Sequence, residues 1–190
     1  MNPENGPAIP GPASGHGPDA PDTPLSPSDL HQWHTDGFVV VRGLWAADEM
    51  DRCRDYFQHL ATEADVSGLD PEVFSPERGA SDPLAAFPRV LHPHRFDAMS
   101  RAMLLDPRVE RVLAALMGER PIAAQSMYYF KPPGGRGQAL HQDNHYLRVR
   151  PSTCVAAWTA VDAADPENGG LYLVPGTHDL DLQCPELADP

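Results

Sequence analysis

The chain has 190 residues, with 14 Lys and Arg against 27 Asp and Glu, a formal net charge of −13. That length suits one domain of ordinary size, and the acidic balance argues against nucleic acid or an anionic membrane as the main partner, since both need a basic face. No apolar run approaches the roughly 20 residues that span a bilayer, and the N-terminus lacks the basic start and apolar stretch of a signal peptide, so a cytoplasmic location is the default.

The first 27 residues hold eight Pro, four Gly and no aromatic side chain. Such a segment buries too little apolar surface to offset its ordering entropy and reads as a disordered tail over 1–27, ahead of a domain over 28–190. His16 in that tail reads as solvated. From Ser28 the pattern changes. Leu30, Trp33 and His34 share one helical face, and Gly37 is placed to end that helix. Phe38 to Val41 is a β-branched run and reads as a strand. Met50, Cys53, Phe57 and Leu60 recur at helical spacing, predicting a helix over 46–64 with Asp48 and Glu49 in its first turn.

Residues 65–95 are rich in Pro, Gly and charge and read as a long irregular loop. It carries His92 and His94, which suit either a metal or, more commonly for such a pair, a loop lining a cleft. Residues 96–105 look helical. Asp106 and Pro107 form an N-cap and first helical residue, Val109, Val112, Leu113 and Leu116 an apolar stripe, and Gly118 a stop.

The second half alternates. Gln125 to Lys131, Leu140 to Val149, Val155 to Val161 and Leu171 to Val174 read as strands, separated by turn signals at 132–135, 166–170 and 175–176. Helices followed by antiparallel strands predict an α+β domain built on a sheet sandwich or barrel. The three cysteines, Cys53, Cys154 and Cys184, are odd in number and widely spaced, which favours reduced thiols.

The informative segment is Leu140-His141-Gln142-Asp143-Asn144-His145-Tyr146. On a strand, residues two apart share a face, so His141 and Asp143 aim an imidazole and a carboxylate at one point, with His145 on the same side. These are two members of a two-His-one-carboxylate set that leaves open positions on Fe(II). Gln125, Met127, Tyr129 and Lys131 alternate onto one face of the preceding strand. Trp158, in the small apolar run from Val155, suits either core or a pocket wall.

The motifs KPPG (131–134), LHQDNHY (140–146), AAWTAVD (156–162) and ENGGLYLVPGTH (167–178), with the opening SDLHQWHTDGFVVVRGL (28–44), resemble the phytanoyl-CoA dioxygenase family of non-haem Fe(II), 2-oxoglutarate-dependent oxygenases. The resemblance implies a double-stranded β-helix, a jelly-roll or cupin-like fold, with N-terminal helices packed on one sheet. It implies Fe(II), 2-oxoglutarate and O2 as cofactor and cosubstrates, with His141 and Asp143 as the first two iron ligands. Gln142 then lines the pocket beside the cosubstrate. Met127 and Tyr129 face 2-oxoglutarate, Trp158 packs on it, and Gln125 lies where substrate and cosubstrate meet. In related halogenases Gly or Ala replaces the carboxylate, so Asp143 favours hydroxylation.

The same resemblance requires a distal His and a following Arg that pairs with the far carboxylate of 2-oxoglutarate. No Arg or Lys follows Arg150, and His178 belongs to the PGTH turn, where family members use it structurally. Both residues, and the later strands carrying them, are expected beyond Pro190, so the domain over 28–190 reads as incomplete. The expected function is hydroxylation of an unactivated C–H in a small organic or acyl substrate, with release of succinate and CO2. The rival reading is a truncated relative that binds a small molecule or a partner chain without catalysis. A cupin-like isomerase or hydrolase explains His141 and Asp143 but leaves the other motifs unaccounted for. Arg148 and Arg150 suit either anion steering or a solvated strand face.

Overall fold

A computed structural model of the chain describes residues 24–62, 89–132, 138–151 and 153–183. The tail expected over 1–27, with His16, the loop expected over 65–95 as far as residue 88, and Cys184 fall mainly or wholly outside those residues.

Helix α1, Pro27–Asp36, starts as its sequence dictates. Ser26 accepts from the Asp29 N–H and the Asp29 carboxylate accepts from the Ser26 N–H at 2.7 Å, which is a capping box. Pro27 occupies the first turn, where its missing N–H costs nothing. Gly37 ends the helix at φ +80, its N–H donating to the Trp33 carbonyl at 3.0 Å. Leu25, ahead of the boundary expected at Ser28, is buried beside Val112 and Leu116.

Residues 38–41 run without a ladder partner among the described residues, in place of the expected strand. Their β-branched side chains serve packing instead: Val39 and Val41 lie against the Leu25, Val112 and Leu116 cluster with Leu30, Trp33 and Leu44. Helix α2 follows over Ala47–Thr62, close to its expected bounds. Its Met50, Cys53 and Phe57 are the buried stripe that the spacing predicted.

The loop expectation fails at its end. Arg89–Leu91 forms strand β1, and Pro93–Arg95 forms a single 3-10 turn. Val90 is 1% exposed and packs with Cys53, Phe57 and Phe130; a three-residue strand amid Pro and charge leaves too short a pattern to read. Helix α3, Ala98–Leu104, is capped by Asp97, which accepts from the Ser100 N–H at 2.5 Å. Helix α4, Pro107–Met117, is capped by Asp106 and stopped by Gly118 at φ +71.

Strand β2, Met127–Tyr129, pairs antiparallel with β1 in the register Arg89 to Tyr129, Val90 to Tyr128 and Leu91 to Met127. Alternation then sorts the side chains. Tyr128 and Phe130 face the helices, Tyr128 stacking on Phe57 at 3.8 Å between ring centroids. Met127 and Tyr129 stand on the opposite, open face, about 40% exposed (41% and 43%).

The remaining strand expectations give way to other structure. Asp143–Leu147 is a short helix, α5, where a strand over Leu140 to Val149 was expected. Residues 155–161 and 171–174 carry no ladder among the described residues, and Leu171, Tyr172, Leu173 and Val174 are all exposed. Of the three turn signals, those at 166–169 and 175–176 hold, and the one at 132–135 lies mainly outside the described residues. The PGTH turn docks on the end of α1, with the Gly176 N–H donating to the Asp36 carbonyl at 3.0 Å. The described residues thus form an α+β arrangement of helices and one two-stranded antiparallel ladder. None of the described helices is long and apolar enough to cross a membrane.

Candidate metal and cosubstrate site

His141 and Asp143 converge although the strand reading of their segment fails. The Nε2 atom of His141 lies 3.2 Å from Oδ1 of Asp143, and both side chains are partly open to solvent. The backbone explains why. Gln142 is still extended, at φ −103 and ψ 122, and the helix begins only at Asp143. Across 141–143 the period of two therefore survives. Beyond Asp143 it does not, and the His141 and His145 rings instead flank Tyr146, that of His141 edge-on at 5.7 Å and that of His145 edge-on at 5.0 Å.

Nδ1 of His141 lies 2.8 Å from the Ala139 carbonyl oxygen. A carbonyl only accepts, so Nδ1 carries the proton and Nε2 presents its lone pair. That lone pair and a carboxylate oxygen face each other at 3.2 Å. Two acceptors at this separation call for a cation or a proton between them. Two donor atoms bound cis to one metal at about 2.1 Å lie roughly 3 Å apart. Imidazole nitrogen plus carboxylate oxygen is the donor mixture that non-haem Fe(II) takes, and the carbonyl-held Nδ1–H is the usual outer support of a ligating histidine. Among the described residues, no group of three His, Cys, Asp or Glu side chains gathers to hold a metal. The Cys154 thiol lies in the field of Asp143; burial chiefly, and that charge secondarily, push it up, so it stays protonated.

Gln142 is engaged elsewhere. Its Oε1 accepts from the Gln183 N–H at 2.8 Å, and its Nε2 donates to the Asp181 carbonyl at 3.4 Å. It therefore ties residues 181–183 against the His141 segment. Met127 and Tyr129 share the open face of the ladder, with Tyr129 Oη donating to Met127 Sδ at 3.3 Å. Gln125 is half-buried just ahead of β2, and Trp158 is 49% exposed, so it is not a core residue here.

Sequence reasoning passed over Arg89. Its register partner is Tyr129, so its side chain stands on the same open face as Tyr129 and Met127. Its Nε is buried and has no partner among the described residues. A desolvated guanidinium nitrogen without an acceptor costs free energy, and an anion on that face would relieve it. The signal lay in the β-branched Val90 beside it, too short to read as a strand.

His92 and His94 do not form a metal pair. Their rings meet edge-on at 5.8 Å between centroids, and Nδ1 of His94 is 2.6 Å from Ser126 Oγ. Burial, then the neighbouring His92, Arg95 and Arg101, hold His94 below the ordinary histidine range. His178 packs under α1: a Cβ on Gly37 would fall 2.4 Å from its Nδ1. Lys131, of the KPPG motif, lies over Gly169 of the ENGG turn, 2.8 Å from where a Cβ would stand.

Comparison with known proteins follows the same residues. A family model described as phytanoyl-CoA dioxygenase matches residues 33–190. The chain is 30% identical over 191 residues to phytanoyl-CoA dioxygenase domain-containing protein 1 of Rattus norvegicus, covering 81% of this chain and 66% of the relative. The Mus musculus counterpart is 28% identical with the same coverage. Phytanoyl-CoA dioxygenase 1 of Oryza sativa subsp. japonica is 36% identical over 97 residues, covering 50% of this chain and 34% of that one. The chain thus spans just under two thirds, 66%, of the length of the first of these relatives. Among solved structures, EctD from S. alaskensis with bound Fe is similar at a TM-score of 0.48 and 22% identity, covering 62% of this chain and 40% of that one.

Proposed function

Since the chain belongs to the phytanoyl-CoA dioxygenase family, whose members use Fe(II), 2-oxoglutarate and O2, we propose that it is the metal-binding part of a hydroxylase. The substrate is a small organic or acyl molecule, oxidised at an unactivated C–H with release of succinate and CO2. The observation that carries this reading is the facing pair, His141 Nε2 and Asp143 Oδ1 at 3.2 Å, with Nδ1 held by the Ala139 carbonyl.

In this reading His141 Nε2 and Asp143 Oδ1 would hold Fe(II), which when bound would supply the oxidising chemistry with O2 and 2-oxoglutarate; the protein's part is to orient and shield the partners. The Ala139 carbonyl fixes the His141 tautomer and ring plane. Gln142 braces the segment by gripping residues 181–183, beside the cosubstrate. Met127 and Tyr129 line the cosubstrate's face, with Gln125 at its edge and Trp158 closing over it. Arg89 offers positive charge on that face, and a guanidinium fork matches a carboxylate or its carbonyl. The architecture that unites these parts is a double-stranded β-helix with the N-terminal helices on one sheet, and the domain runs from about residue 28, after a Pro- and Gly-rich tail.

The test is Fe(II) binding together with succinate formation. His141→Ala and Asp143→Ala in the full-length protein abolish both; undiminished turnover in either variant refutes the ligand assignment. Arg89→Gln weakens 2-oxoglutarate at least about tenfold while leaving Fe(II) affinity in place. Saturable small-molecule binding with no Fe(II) uptake would instead favour the non-catalytic binding domain.

A further inference from the structure

The residues that follow His141 and Asp143 in the chain line a depression of about 410 Å³ that the proposed chemistry does not use. Asn144, His145, Arg148, Val149, Arg150 and Leu182 line it. That volume is in the range of small-molecule sites.

We infer that this depression binds an anionic head group of the substrate, a carboxylate or a phosphoester, through Arg148 and Arg150; the identification as substrate rests on the hydroxylase reading. Three observations support it. The first is charge. Like Arg42, Arg89, Arg95, Arg101 and Arg111, Arg148 and Arg150 pair with no carboxylate among the described residues, whereas Arg52, Arg54, Arg108 and Arg120 each hold one. Both line one depression whose other walls, Asn144, His145, Val149 and Leu182, carry no acid. Guanidinium forks pair bidentately with carboxylate and phosphate oxygens.

The second is that the wall is built. Arg148 sits at φ +52, in the left-handed region that a long side chain adopts at a cost. Asn144 holds it there: the Arg148 N–H donates to the Asn144 carbonyl at 3.0 Å, and the Val149 N–H donates to Asn144 Oδ1 at 2.7 Å. The reversal brings Arg148 and Arg150 round to the same hollow. The third is continuity. Asn144 and His145 follow Asp143 directly in α5. Leu182, the apolar wall, is held by the bonds from Gln142 to residues 181 and 183. A head group seated here has the apolar Leu182 for an attached chain to follow.

The experiment titrates the full chain with hexanoate, hexyl phosphate and the neutral hexanol, by calorimetry at low salt. Both anions are expected to bind at least about tenfold more tightly than hexanol, and the tighter of the two names the head group. Arg150→Gln and Arg148→Gly each weaken the anions about tenfold; glycine suits the positive φ, so the backbone is kept while the guanidinium goes. Arg120→Gln, remote and paired with Glu110, changes nothing. Equal affinity for anions and hexanol, or unchanged anion affinity in both arginine variants, overturns the inference. His141→Ala separates the two claims: it removes Fe(II) binding if the hydroxylase reading holds and leaves anion affinity intact either way.

Discussion

Replacing Gly37 by Ala isolates what His178 does. Gly37 and Gly118 are both helix C-caps in the left-handed region, at φ +80 and +71, each closing its helix with an N–H to carbonyl bond of 3.0 Å. An L-residue there costs about 1 kcal/mol in either place. They differ in what a Cβ meets. At Gly118 nothing lies within 4 Å, whereas at Gly37 the His178 Nδ1, Cγ and Cβ atoms stand at 2.4, 2.5 and 2.6 Å. The PGTH turn must then lift from α1, an overpacking that costs a further 1–3 kcal/mol or so. In urea denaturation Gly118→Ala should lose about 1 kcal/mol and Gly37→Ala about 2–4. His178→Ala should return the Gly37→Ala loss to near that of Gly118→Ala, a coupling readable as a double-mutant cycle. Equal losses at the two glycines, or no relief from His178→Ala, would refute the docking of this turn. Because the ring is spent on that contact, His178→Ala should also leave Fe(II) affinity unchanged, in contrast to His141→Ala.

Three further outcomes follow from the packing. Arg108 binds Glu49 and Asp106, both at 2.9 Å, and lies 4.2 Å over the Trp45 ring; Arg108→Ala should cost about 2–3 kcal/mol, below the 3–5 of a fully buried pair because these groups are partly exposed. Hydrogen bonding to Arg108 holds Glu49 below the ordinary carboxylate range, and at Asp106 the same partner outweighs the upward push of burial. Depressed carboxylates stabilise fully above their unfolded values, so this contribution should vanish as pH falls below about 4, and a stability curve as steep there in Arg108→Ala as in the parent would contradict it. Phe57, 3% exposed and stacked on Tyr128, should lose about 3–5 kcal/mol on truncation to Ala in thermal or urea unfolding, whereas Ile122, 91% exposed, should lose within about 0.5. Burial pushes the Cys53 thiol up to about 11, so a thiol reagent near neutral pH should modify it at least ~100-fold more slowly in the native chain than in urea; equal rates would show that the α2 stripe is not packed.

The helical half was legible because its punctuation is local. Gly37 stops α1, and Asp106, Pro107 and Gly118 bound α4, each within its own turn; the Ser26 and Pro27 start of α1 instead falls in the stretch that reads as tail. Helix start and stop signals need no distant partner. Strands do. Phe38 to Val41 has β propensity, but its valines found a helix surface to pack on, and with no ladder partner the segment stays irregular. Arg89 to Leu91 has little pattern of its own and becomes a strand because Met127 to Tyr129 pairs with it. β propensity records fitness for a half-buried surface, and the partner decides whether a strand forms.

The site shows the same division at the scale of two residues. The expectation that His141 and Asp143 face one point depended only on Gln142 being extended, and it is. The inclusion of His145 depended on the strand continuing, and the turn into α5 removes it to the depression. That turn also brings Arg148 and Arg150, which a continuous strand would space along one exposed face, round to a single hollow. On the proposed reading the helical turn after Asp143 separates two tasks in one short segment: residues 141–143 would hold the metal, and residues 144–150 would take the anion. A strand through 140–149 would give the first without the second. On this argument the substitution that most disturbs the anion while sparing the metal pair is Asn144→Ala, which removes the Oδ1 acceptor of the Val149 N–H that holds the reversal. Calorimetry with hexanoate or hexyl phosphate should show weaker binding by about three- to tenfold, the worth of roughly one hydrogen bond, with Fe(II) affinity unmoved. Loss of Fe(II) binding in that variant would show that the two halves of the segment are one unit.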